Sequence, residues 1–433
     1  MRMDLEHALA SIPSGREYPD FAPLQRVRSI DALRGFVMFM MIFVNDLAGA
    51  GRVVPDWMVH FSDRHHGGSG MTFVDLVFPA FLFLVGMSIP FALGLRLEKG
   101  EPVWKVFGHV VGRTALLLWI GVMMVNETPD SAAMGWSGNW WCVLMYLSAI
   151  FALSSIRFRA PASEPGANSR KVLNQTLRWC GFAGLIVLAF AFRGAQGQRI
   201  ISLSPFAVHT EWYGILGLIG WAYLMASIVF FVFRLNRTAI LGCMVLLLCL
   251  FAADRAGAFE GFWLSRFVGI GESLGSLAAI SAGGLLLGSR LAANESNPFR
   301  ARTLFTSWFV LGCAAAALLL NRTYGISKNS ATPSWCLWSC AITAALWYGC
   351  YLVCDVHPME VISKPMQLAG RNVLLAYLIS EMLPGLIDAL HLDKFYNAIP
   401  ANLPLAIFRS VLCAIFVLAV STGLNRVGLR LKL

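Results

Sequence analysis

Residues 60–79 read HFSDRHHGGSGMTFVDLVFP. Three of the chain's eight histidines, His60, His65 and His66, fall within seven positions, and Gly67, Gly68, Ser69 and Gly70 follow before an apolar run begins. An imidazole at a water-accessible pocket, with its tautomer fixed, can take or give a proton near neutral pH. The glycines would let backbone N–H groups approach a developing oxyanion closely. Thr72-Phe-Val-Asp75 fits the capping pattern that sets a carboxylate at a helix N-terminus, so Asp75 is either a cap alone or the group that orients an imidazole. The histidine spacing matches no standard zinc pattern and no cysteine joins it, so no metal is expected.

Other costly polar groups sit in apolar surroundings. Asp31 and Arg34 stand i,i+3 on one helical face and can pair, or form a site for a phosphorylated ligand. Asn45 and Asp46 close the first apolar run; the amide of Asn45 needs partners if buried, and Asp46 is expected to reach water. The segment NRTYGISKNSATPSW (321–335) offers many hydrogen-bonding groups, among them Lys328 and Asn329. Arg371 and Asn372 begin a later apolar run, and Glu381 lies about ten residues inside it, a costly position without a partner.

The elements that must hold these residues are membrane helices. The chain has 433 residues, 57% hydrophobic and 13% charged, against about a quarter charged in soluble domains. Runs long enough to cross a hydrocarbon core of about 30 Å recur throughout. The expected fold is an all-α polytopic membrane protein of 11–12 transmembrane helices, with spans near 33–50, 73–94, 107–125, 139–156, 177–192, 212–233, 238–253, 272–290, 303–320, 334–354, 371–388 and 404–424. A polar N-terminal segment, 1–28, precedes a single transmembrane domain, 29–433, with a cytoplasmic linker near 157–176; no cleavable signal peptide is expected at the start. Of the 34 basic residues, 24 fall on the side shared by both termini, which the positive-inside rule makes cytoplasmic. The net charge of +10 is thus a topology signal, and nucleic-acid binding is excluded. The cysteine pairs Cys336/Cys340 and Cys350/Cys354, at i,i+4 spacing, read as packing residues rather than a metal site.

Arg28-Ser-Ile-Asp-Ala-Leu-Arg-Gly35, Met41-Ile-Phe-Val-Asn45, and a histidine before Gly70-Met-Thr72 and Asp75-Leu-Val-Phe-Pro79 together resemble the heparan-alpha-glucosaminide N-acetyltransferase family. Ile326-Ser-Lys-Asn329 with Pro333-Ser-Trp335, and Gly370-Arg-Asn372 with Tyr377 and Glu381, are similar to its later signatures. The resemblance implies acetyl transfer from acetyl-CoA, as donor substrate, to the amine of a glucosamine or related glycan acceptor on the face away from the cytosol. For a bacterial relative this would be the inner membrane, with the site facing the periplasm and a homodimer as one open assembly. The position ten residues before Asp75, where the family's catalytic histidine falls, is His65. The stretch before Gly70 is longer here, so His60 and then His66 compete with it. The resemblance further implies that Asp75 fixes the imidazole tautomer and that Asn45 or glycine N–H groups receive the oxyanion. Lys328, Arg371 or Arg34 would meet CoA phosphates, with Asp31, Asn329, Asn372 and Glu381 as further binding groups. From the residues alone, a secondary transporter with a proton- or ion-coupled polar site is the rival reading, and a non-catalytic scaffold is a weaker third.

Overall fold

The computed structural model describes residues 27–61, 68–125, 129–156, 167–203, 206–209, 213–293 and 297–431. Among them, ten helices are long and apolar enough to cross a membrane, and the protein is an integral membrane protein. The ten are α2 (Val74–Glu98), α3 (Val103–Val125), α5 (Ala167–Ala191, apolar from Val172), α6 (Gly214–Phe233), α7 (Arg237–Arg255), α8 (Ile270–Ala292), α9 (Pro298–Tyr324), α10 (Pro333–Val356), α11 (Glu360–Ala389) and α12 (Leu403–Arg426). Two further helices complete the expected map: α1 (Arg28–Ala48), which carries Asp31, Arg34 and Asp46, and the shorter α4 (Gly138–Leu153). Among the described residues, strands are confined to two antiparallel pairs of three-residue segments, Ser154–Ile156 with Leu429–Leu431 and Ile201–Leu203 with Phe206–Val208.

Burial sorts the helices into a centre and a rim. In the apolar window of α8, 94% of residues are buried, and in that of α2, 72%. The corresponding share is 22% in α7 and α9 and 28% in α12, whose bare apolar faces meet lipid. Between α2 and α8 the backbones touch. A Cβ on Gly86 would collide with the Ser281 carbonyl, one on Gly284 with the Phe83 carbonyl, and one on Gly288 with that of Met87. The Ser281 hydroxyl also donates to the Leu82 carbonyl at 2.9 Å. Small residues and interhelical hydrogen bonds drive association where lipid removes the hydrophobic force between helices. The obstruction at Gly284 is backbone, so no rotamer change relieves it. Gly284→Ala is expected to lower stability by about 1–3 kcal/mol, read as a fall in thermal midpoint in detergent; an unchanged midpoint would mean that the two helices do not pack this closely.

The chain alternates direction, which brings distant loops to one end. The segment after α1, the start of α2, the α7–α8 connection and the α9–α10 connection share the end at which α1 finishes. Asp31, Arg34, Arg371 and Asn372 share the other. There, a Cβ on Gly370 would strike the Asp31 carbonyl, and Asn372 donates from Nδ2 to the Leu429 carbonyl at 3.2 Å, fastening the C-terminal strand.

Candidate active site

Asp75 begins the first turn of α2, and its side chain is 1% exposed. It accepts at Oδ2 from the Thr72 backbone N–H at 3.0 Å, the carboxylate half of the capping box anticipated from Thr72-x-x-Asp75. The other half is diverted, because the Thr72 hydroxyl donates to the Val59 carbonyl at 2.7 Å. That bond draws the segment before the histidines onto the helix start. As a result Phe61 N–H donates to Oδ2 at 3.1 Å, and the His60 ring nitrogen Nδ1 lies 2.8 Å from Oδ1.

With three donors on one buried carboxylate, Asp75 serves as acceptor and His60 Nδ1 as donor. This fixes the tautomer of His60 with its proton on Nδ1 and its basic lone pair on Nε2. The His60 side chain is 30% exposed, so the ring reaches water while its anchor does not.

A cation completes the group from 268 residues away. The Lys328 ammonium stands 3.1 Å from both Nδ1 and Nε2 of His60. A point in the ring plane that distance from both nitrogens would fall on Cε1–H, so the ammonium lies out of plane and does not occupy the in-plane lone pair of Nε2. The α9–α10 loop is bound to the glycine segment by two hydrogen bonds, one of them to a side chain. Gly70 N–H donates to the Ile326 carbonyl at 3.0 Å, and Ile326 N–H donates to Ser69 Oγ at 2.8 Å. Within the loop Thr332 Oγ1 accepts from Ser327 N–H at 3.0 Å and donates to the Gly325 carbonyl at 3.1 Å. Gly325 takes φ +65°, a left-handed value that favours glycine. Gly70 is fixed differently, since a Cβ there would enter the Phe61 ring.

Asp75, Lys328 and Asn329 border a cavity of about 700 Å³ together with Arg255 and Tyr324. Volumes of this order suit small-molecule sites. His65 and His66 lie outside the described residues.

Asn45 and Glu381 border a second cavity, of about 640 Å³, at the same end, which shares no lining residue with the first. Asn45 Nδ2 donates to Glu381 Oε1 at 3.2 Å, giving the carboxylate inside α11 a partner. Asp46, expected to reach water, borders the same cavity and is paired there. Its side chain is 11% exposed and bound by Arg409, 4% exposed, through Nε at 3.1 Å. The Ser410 hydroxyl donates to Oδ2 at 2.6 Å, and the Tyr396 hydroxyl donates to Oδ1. Burial and the adjoining Asp46 carboxylate push the Tyr396 phenol well above its ordinary range, so it remains a donor. Nothing near Asp46 in the sequence announces partners some 350 positions later. Arg34 borders a small apolar void of about 80 Å³ with Arg113 and Tyr377, away from both cavities.

Over residues 26–153 the chain matches a family described as a domain of unknown function, DUF5009. That segment contains the whole Asp75–His60 arrangement. The chain is also similar to two curated proteins. Heparan-alpha-glucosaminide N-acetyltransferase of Homo sapiens is 30% identical over 157 residues, and its counterpart in Mus musculus is 34% identical over 111. Over the matched stretches the chain resembles the heparan-alpha-glucosaminide N-acetyltransferase family. The matched stretches cover 34% and 26% of this chain, and the chain spans only 22% and 16% of the human and mouse proteins' lengths. Lys328, Glu381 and Arg409 lie far beyond residue 153, where the DUF5009 match ends.

Proposed function

We propose that this protein is a membrane acyltransferase that moves an acetyl group from acetyl-CoA to the amine of an amino sugar or related glycan. The observation that carries the reading is the 2.8 Å contact of His60 Nδ1 with a carboxylate that is 1% exposed, beside a cavity large enough for a substrate. The names of the two curated relatives supply the reaction class.

In this reading the acceptor amine attacks the thioester carbonyl while His60 Nε2 removes its proton. Asp75 holds the ring and stabilises the imidazolium that forms. Lys328 brings a positive charge to the place where the tetrahedral oxyanion develops. When that intermediate collapses the C–S bond breaks, and the proton held by His60 passes to the departing CoA thiolate. In this reading His60 takes the role that the resemblance gives to His65, because among the described residues it is the imidazole in contact with Asp75. The excess of basic residues on the side of the termini puts this end of the bundle away from the cytosol, which in a bacterial cell is the periplasmic face of the inner membrane. Arg34 and Arg371, at the opposite end, lie on the side from which a phosphorylated donor would arrive in this reading.

The test is to incubate the purified protein in nanodiscs with labelled acetyl-CoA and a panel of amino sugars, reading acetylated product by mass. Product formed on the amine supports the reading, and its absence across the panel contradicts it. Lys328→Met should lower kcat about 10²-fold, the scale of a lost oxyanion donor, and Lys328→Arg should restore part of it. A Met variant with full activity would remove Lys328 from the chemistry.

A further inference from the structure

We infer that the acceptor is carried on a long hydrocarbon chain, which lies in an apolar groove between α7 and α9 while its amino head enters the cavity bordered by Asp75 and Lys328. The inference rests on the acyltransferase reading and names the class of its acceptor.

The groove, of about 720 Å³, runs from Arg237 and Phe305 at one end of the two helices to Ala252 and Tyr324 at the other, with Met244 and Phe309 buried along it. Its rim is open to the bilayer, since Leu241 is 48%, Val245 52% and Trp308 72% exposed. Gly312 keeps the middle wide, because a Cβ there would meet no heavy atom within 4 Å.

Three observations select the occupant. First, the groove meets the polar cavity. Tyr324 lines both, and Phe251, whose ring stands edge-on to Tyr324 with centroids 5.6 Å apart, borders the cavity on the other side. Second, the junction lies at the level of headgroups. The α7–α8 connection there carries exposed Phe262, Trp263 and Phe267, the aromatic residues that settle at a bilayer interface. A bilayer lipid entering sideways would therefore present its head to the cavity and its chain to the groove. Third, length separates an anchoring chain from ordinary lipid. From Phe305 to Tyr324 the groove follows about 28 Å of helix rise, close to the whole hydrocarbon thickness of about 30 Å. A chain from one leaflet would fill only half of it.

The experiment compares glucosamine with a long-chain alkyl glucosaminide as acceptors for wild type, Gly312→Leu and Gly312→Trp in nanodiscs. Leucine and tryptophan at position 312 fill the groove and remove a glycine from a helix interior, so folding is not put at risk. The tail is expected to raise kcat/KM by at least about tenfold over glucosamine, and Gly312→Trp to erase most of that gain while turnover of glucosamine stays as in wild type. Equal kcat/KM for the two acceptors, or a tail effect insensitive to both substitutions, would overturn the inference. Native mass spectrometry without donor reads the groove separately from the chemistry. Bound alkyl glucosaminide on wild type, depleted about tenfold in Gly312→Trp, supports the groove even where no acetyl is transferred; equal occupancy in both refutes it.

Discussion

His60→Ala is expected to lower kcat for acetyl transfer about 10³-fold, within the range for loss of a positioned general base. A protonated amine cannot attack a thioester, and a neutral one must shed a proton as the C–N bond forms. In this account that proton goes to Nε2 of His60, whose orientation is fixed because Nδ1 is committed to Asp75. The variant keeps the Thr72 and Phe61 N–H groups on the carboxylate, so the start of α2 stays capped. Its expression and thermal midpoint should therefore remain close to wild type. KM for acetyl-CoA should change little, since in this account the imidazole acts in the transition state rather than in donor binding. A large rise in KM at constant kcat would instead make His60 a binding group.

The second large effect concerns stability. Arg409→Ala is expected to cost about 3–5 kcal/mol, the penalty for leaving a buried charge without its partner. Asp46 would keep only the Ser410 and Tyr396 hydroxyls, and the Arg409 contact with the Asp46 carbonyl at 2.8 Å would vanish as well. This network joins α1 to α12 and to the Asp393–Ala398 helix, so the loss should appear as a lower midpoint of thermal unfolding in detergent. Asp46→Asn with Arg409→Gln, which removes both charges, should recover part of it. A single variant with wild-type stability would show the pair to be solvated.

The fold was largely legible because each membrane helix announces itself through length and apolarity, independent of its neighbours. The expected spans at 238–253 and 404–424 correspond to Arg237–Arg255 and Leu403–Arg426. At α11 the expected start, 371, fell inside the helix, which runs from Glu360 through polar residues that hydropathy discounts. Within the site, the bond between Asp75 and Thr72 was legible because a capping box lies within four consecutive residues. The contact of His60 with Asp75 was not, since it depends on where Thr72 pulls the loop through the Val59 carbonyl; His65 and His66 lie outside the described residues. Lys328 was legible as a polar loop residue among possible phosphate contacts. Its position against an imidazole 268 residues away depends on the pairing of Gly70 with Ile326, which no local pattern encodes. The same limit hid Arg409 from Asp46 and separated Asn45 and Glu381 from the histidine they were grouped with.

At the centre of the account is a division of labour: a sequestered carboxylate steers one ring, and that ring alone relays the hydrogen lost by the nucleophile. Parallel initial rates of labelled acetyl transfer to glucosamine by His60→Ala and His65→Ala test it most directly. The account predicts a nearly dead His60 variant beside a His65 variant of near wild-type activity; the reverse pattern would contradict it.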